Sequence, residues 1–143
     1  NLNTALDSMV RSIRQGQNYH CDIELGNITD TRDCTGVTSS ESIAVQPFEA
    51  FGAPLERATM WMYWLHDGRL YKSETGSEAG GIPITSAEVD ITYFRVYVVG
   101  STAGDTVQPK VVIVVRGTAG GGKAKTQTTF NIQATATQRV LDI

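Results

Sequence analysis

The chain has 143 residues, 41% of them apolar and 19% charged, with a formal net charge of −3. That length supports one domain with a real core, and that balance speaks against a protein that coats nucleic acid. No run approaches the roughly 18–20 apolar residues of a membrane span, and no signal peptide is visible.

The charge is unevenly spread. Residues 1–109 carry seven Lys/Arg against fourteen Asp/Glu. Residues 110–143 carry five, Lys110, Arg116, Lys123, Lys125 and Arg139, against Asp142 alone. A solvated surface is the usual origin of such charges, but a local basic stripe can meet an anionic partner.

The first fifteen residues predict an amphipathic helix. Leu2, Ala5, Leu6, Met9, Val10 and Ile13 fall on one arc at about 100° per residue, and polar residues fill the other. Arg11 and Arg14 suit the negative end of the helix dipole, and Gly16 suits a stop. Asn1 is not an initiator methionine and no clear cap precedes the pattern, so the chain reads as entered part-way along a helix. An ordinary domain that begins with a helix fits the same pattern.

Residues 17–42 read as irregular, rich in Asn, Asp, Gly and Ser. Cys21 and Cys34 lie thirteen positions apart there, a spacing that suits a disulfide in an exported protein. Two reduced thiols in a cytosolic protein are the alternative. Residues 43–52 offer a short extended run that Pro47 marks as an edge strand or a bend. Residues 59–74 read as a hairpin whose arms flank Asp67–Gly68, a pair suited to a tight type I′ turn. Both arm faces are apolar: Met60, Met62 and Trp64 on one, Trp61, Tyr63 and Leu65 on the other. One must therefore be covered by the helix or by a loop. Thr85–Glu88 matches a capping box and predicts one helical turn. Three strands follow. In 91–100, Phe94, Val96 and Val98 alternate with Tyr93, Arg95 and Tyr97; 110–117 is nearly all apolar, as a central strand would be; 126–138 faces Phe130, Ile132, Ala134 and Ala136 inward. The expected architecture is α+β, an N-terminal amphipathic helix packed on an antiparallel sheet. It forms one unit over 1–143: helix 1–16, cysteine loop 17–42 and sheet region 43–143.

Several chemical motifs fail on inspection. Gly117–Ala124 nearly spells a phosphate loop, but Ala124 lacks the hydroxyl for Mg²⁺ and a strand pattern follows instead of a helix. His20, Cys21, Cys34 and His66 match no compact zinc spacing, and Asp30 and Asp33 lack the dense oxygen ligands of a calcium loop. No metal or other cofactor is expected. No nucleophile or acid–base pair is set by spacing, so no catalytic residue is assigned and an enzyme is the least supported class. Asn27–Thr29 is a glycosylation triplet, meaningful mainly in a eukaryotic secretory setting. Arg116, Lys123, Lys125 and Arg139 are candidate DNA contacts, although the stacking aromatics that accompany single-strand binding are missing there, apart from Phe130 on the inward face.

The opening ALDSMVRSIRQGQNYHC, the second cysteine at Asp33–Cys34, the hairpin, the strand pair and the closing TTFNIQATATQR together resemble the soluble domain of a type IV pilin-like protein, a minor pilin or pseudopilin. The resemblance spans nearly the whole chain. It implies a structural, non-enzymatic subunit of a type IV pilus or a related secretion or competence filament, serving adhesion, twitching, uptake or secretion. It implies that Leu2–Gln15 is the second half of a long helix whose apolar first half, upstream of Asn1, anchors the subunit in the inner membrane before assembly at the cell surface. Leu2, Leu6, Met9, Val10 and Ile13 would then hold helix to sheet, and Asp7, Arg11 and Arg14 would meet neighbouring subunits. The expected partners are other pilin subunits, the assembly machinery and, in a DNA-uptake variant, DNA. The cysteine pair departs from the common pilin pattern, in which a disulfide closes a loop near the C-terminus. A secreted carbohydrate- or peptide-binding β domain that uses the hairpin aromatics is a further alternative.

Overall fold

The structure, a computed structural model, describes residues 2–35, 40–102, 107–120 and 127–139. It is α+β, with one helix, α1 (Leu2–Gln15), and two antiparallel sheets where the sequence suggested one. The first sheet orders β1 (Gln17–Cys21), β2 (Ser42–Gln46), β3 (Trp61–His66), β4 (Arg69–Ser73) and β5 (Ile82–Pro83) as neighbours. The second orders β6 (Val89–Val99), β7 (Lys110–Ala119) and β8 (Thr128–Thr137).

The apolar stripe of α1 lies against the second sheet's inner face. Leu6, Met9 and Ile13 join Phe94, Val96, Ile113, Val115 and Ala136 in one core, with Leu2 and Val10 packed at its margin. The same core takes in Tyr19, Ile43, Val45 and Tyr63 from the first sheet. Each fully buried Ile or Met contributes about 1.5–3 kcal/mol. The helix ends where the Tyr19 hydroxyl donates to the Ile13 carbonyl at 2.5 Å and to the Gly16 carbonyl at 3.2 Å, groups that a helix end leaves unpaired.

The Asp67–Gly68 turn forms as expected, with φ of 49° and 77° in the two-residue link between β3 and β4. The hairpin's two apolar faces are both covered. Trp61, Tyr63 and Leu65 meet the main core, while Met60, Met62 and Trp64 form a second cluster with Ile23, Ile28 and Ala44. The cysteine loop, not the helix, is therefore the cover on that second face.

Three local expectations need correction. The stretch expected to be irregular contains β1, whose polar residues are paired over long range: Gln17 and Asn18 both donate to the Gln46 side chain, at 3.0 and 2.6 Å. Of the two readings of Pro47, the edge is overturned, since β2 lies between β1 and β3, and the bend forms: Pro47 falls just past the strand and opens the 3₁₀ turn Phe48–Ala50. Thr85–Glu88 forms a turn instead of a helix, because the Thr85 hydroxyl accepts the Leu70 N–H at 3.2 Å and so does not cap its own segment.

Candidate functional site

Cys21 sits at the end of β1, and Cys34 pairs through its backbone with Val98 on β6, at 2.9 and 2.8 Å. The Cys21–Cys34 disulfide, with Cα atoms 5.9 Å apart, therefore ties the first sheet to the margin of the second. Around it the loop is closed by polar contacts. His20 is buried, its Nδ1 2.8 Å from the Asp30 carbonyl and its Nε2 2.5 Å from that of Leu25. The Asp33 carboxylate accepts from the Gly100 and Ser101 N–H groups and from the Ser101 hydroxyl. Neither His20 nor Asp33 is therefore presented as a metal ligand, and both cysteines are bonded to each other. Among the described residues no three His, Cys, Asp or Glu side chains stand together to hold a metal ion.

Asp7, Arg11 and Arg14 lie exposed along α1. They flank a groove of about 470 Å³ between the helix and β8, with Val10, Ile132 and Ala134 at its apolar base. The Arg14 carbonyl accepts the Arg139 N–H at 2.8 Å, so the end of β8 is fastened to the end of the helix. Small side chains at Ala134 and Ala136 leave room for this close approach.

Of the four candidate DNA contacts, the two described ones lie apart. Arg116 pairs with Asn131 near one end of β8, while Arg139 lies past the other end. Eight residues of strand separate those positions, about 26 Å. Lys123 and Lys125 lie outside the described residues. What the sequence did not disclose is an aromatic partner: the Arg116 guanidinium lies 4.4 Å from the centre of the Tyr93 ring, and that of Arg95 lies 5.3 Å from it. A β-bulge creates this contact. Ile91 faces Gly117, yet Tyr93 faces Arg116, so Thr92 is the extra residue; an unbroken register would have put Tyr93 opposite Val115. Gly117, the first glycine of the false phosphate loop, permits the bulge. A Cβ there would lie 2.1 Å from the Asp90 carbonyl oxygen.

A second cleft, of about 530 Å³, opens between the cysteine loop and the hairpin, with Asp22, Glu24, Glu41 and Glu78 on its walls. The Glu78 carboxyl is held above its ordinary range, mainly by a hydrogen bond with Glu24 and then by partial burial. Trp64 is only 9% exposed and stacks on Tyr71 with ring centres 5.8 Å apart, so the hairpin aromatics are largely engaged with the protein itself.

No family model, curated protein or solved structure matches this chain. Its surfaces are a polar helix face beside an apolar groove, a cation-lined sheet face and an acidic cleft, the chemistry of contact and binding.

Proposed function

We propose that the chain is the soluble domain of a type IV pilin-like subunit, a minor pilin or pseudopilin, that acts by assembly and not by catalysis. The observation that carries this reading is α1 itself. Its apolar stripe is fixed on the β6–β8 sheet while Asp7, Arg11 and Arg14 stay exposed over a helix about 21 Å long. A helix held this way presents one face to its own sheet and the other to a neighbour. Repeated by a rotation that does not close, such a heterologous contact builds a filament. No described helix is long and apolar enough to cross a membrane; the reading assigns the anchor to sequence upstream of Asn1. Before assembly the subunit would sit at the inner membrane, and afterwards at the cell surface with other pilin subunits. The disulfide, which joins the two sheets, stiffens the body that the filament displays.

Deleting the gene in its native host, and restoring it as wild type or as Arg11→Glu/Arg14→Glu, tests the reading. Surface filaments should be lost or reduced on deletion, return with wild type, and stay reduced with a variant whose thermal unfolding is unchanged. Undiminished filaments in the deletion strain would remove the filament role; full restoration by the variant would remove the polar stripe as its contact surface.

A further inference from the structure

The outer face of the β6–β8 sheet is half-open: Tyr93, Tyr97, Val112 and Val114 are half-buried, and Arg95 lines the acidic cleft beside Glu41 and Ser42. Alternation along β6 places Tyr93, Arg95 and Tyr97 on this face, with the two tyrosines about 13 Å apart along the strand. The register sets Arg116 beside Tyr93 at one end, and at the other Lys110 beside Val99. Arg95 is paired with Glu41 at 3.4 Å. Arg116 and Lys110 have no carboxylate within ion-pair distance among the described residues. On β8 the same face continues as uncharged amides and hydroxyls, Asn131 and Gln133 among them. In a chain of net charge −3, this face therefore combines half-exposed rings, two cations outside any ion pair among the described residues and neutral hydrogen-bonding groups, with one carboxylate, Asp90, level with Thr118 at its end.

We propose that this face binds single-stranded nucleic acid. Cations alone would suit any polyanion. Rings interleaved with guanidinium groups suit a polyanion that carries flat, unpaired bases, because bases stack on aromatic and arginine planes while phosphates meet the cations. A duplex keeps its bases stacked on one another and offers no free base face to Tyr93 and Tyr97. The amides of β8 would meet base edges. This inference stands on the bulge-made Tyr93–Arg116 contact and does not depend on the filament reading.

Fluorescence anisotropy of a labelled oligothymidylate of about 20 nucleotides, beginning at about 20 mM salt, tests it. Two phosphate contacts predict that affinity falls roughly 7-fold between about 50 and about 200 mM salt, and Arg116→Ala should reduce that fall to roughly 2.6-fold. Tyr93→Ala should weaken binding roughly 5- to 140-fold, and Tyr93→Phe, which keeps the ring, by less than about twofold. Tyr97→Ala supplies the same readout should Tyr93→Ala prove unstable by circular dichroism. The proposal is overturned by no binding at low salt, or by tighter binding of the matching duplex. It is also overturned if both tyrosine-to-alanine variants bind as wild type while Lys123→Ala/Lys125→Ala abolishes binding.

Discussion

The two sheets solve the problem of exposure in opposite ways. The first is closed on both faces. The main core lies on one side, the Ile23 and Ile28 cover on the other, and residue 32 pairs along the outer side of β1. The second is closed on its inner face, while its outer face stays half-open, with Arg95 reaching Glu41 beside β2. One sheet therefore works as body and the other as display, and the disulfide is the covalent link between them. The polar opening that the first sheet keeps, the cleft between the cysteine loop and the hairpin, is walled by Asp22, Glu24, Glu41 and Glu78 and is poorly placed to take an anion. A face that keeps Arg116 and Tyr93 half-open is well placed to do so.

The sharpest way to break this contrast is within one strand. Ile113 and Val112 are neighbours on β7, but Ile113 is 1% exposed on the inner face and Val112 is half-buried on the outer. Urea unfolding should show Ile113→Ala losing about 2–5 kcal/mol and Val112→Ala under about 1. Equal losses would mean that the outer face is also packed. Next in size is the link itself. Cys21→Ser/Cys34→Ser should cost about 3 kcal/mol, as expected for a loop of this length. Amide hydrogen exchange should show the loss of protection concentrated in β1 and at Cys34 and Ser40, where the loop meets β6.

Gly117→Ala tests whether the bulge makes the outer face. Crowding against the Asp90 carbonyl should cost about 1–3 kcal/mol by urea titration. The tyrosine-dependent nucleic-acid binding should weaken in the same variant. A smaller effect should come from Tyr63, whose buried hydroxyl makes no well-formed hydrogen bond among the described residues and has only a weak interaction with the Ser12 side chain. Its pKa is pushed up to about 12, by burial foremost, against a smaller opposing influence of Ser12. The folded state thus holds this proton more tightly than the unfolded state. The stability linked to it is complete below pH 10, the ordinary tyrosine value, and is lost as pH rises to about 12. Tyr63→Phe should be neutral or stabilising by up to about 1 kcal/mol at pH 7 and should flatten that alkaline loss in thermal melts.

The second sheet was legible because its inner face is apolar and its outer face mostly polar, so β6 and β8 carry the period of two in their residues. The helix and the Asp67–Gly68 turn were legible for equally local reasons. β1 was not, because Gln17, Asn18 and His20 look solvent-bound until their partners at Gln46, Asp30 and Leu25 are known. Pro47 alone does not tell an edge from a bend; its place one residue past β2, opening the Phe48–Ala50 turn, decides for the bend. The Thr85 capping signal failed because Leu70, distant in sequence, recruits the same hydroxyl. Tyr93 and Arg116 could not be joined by pattern, since a one-residue bulge decides which of β7's residues Tyr93 meets.

If α1 is the lower half of a filament-building helix, as proposed, the native gene immediately upstream of the Asn1 codon and the mass of the mature protein should reveal the rest. Sequencing and mass spectrometry should find a short basic leader, a Gly or Ala cleavage point and about twenty apolar residues with a glutamate near their start, retained in the mature chain. An ordinary cleaved signal peptide ending at Asn1, or a start codon there, would contradict that proposal.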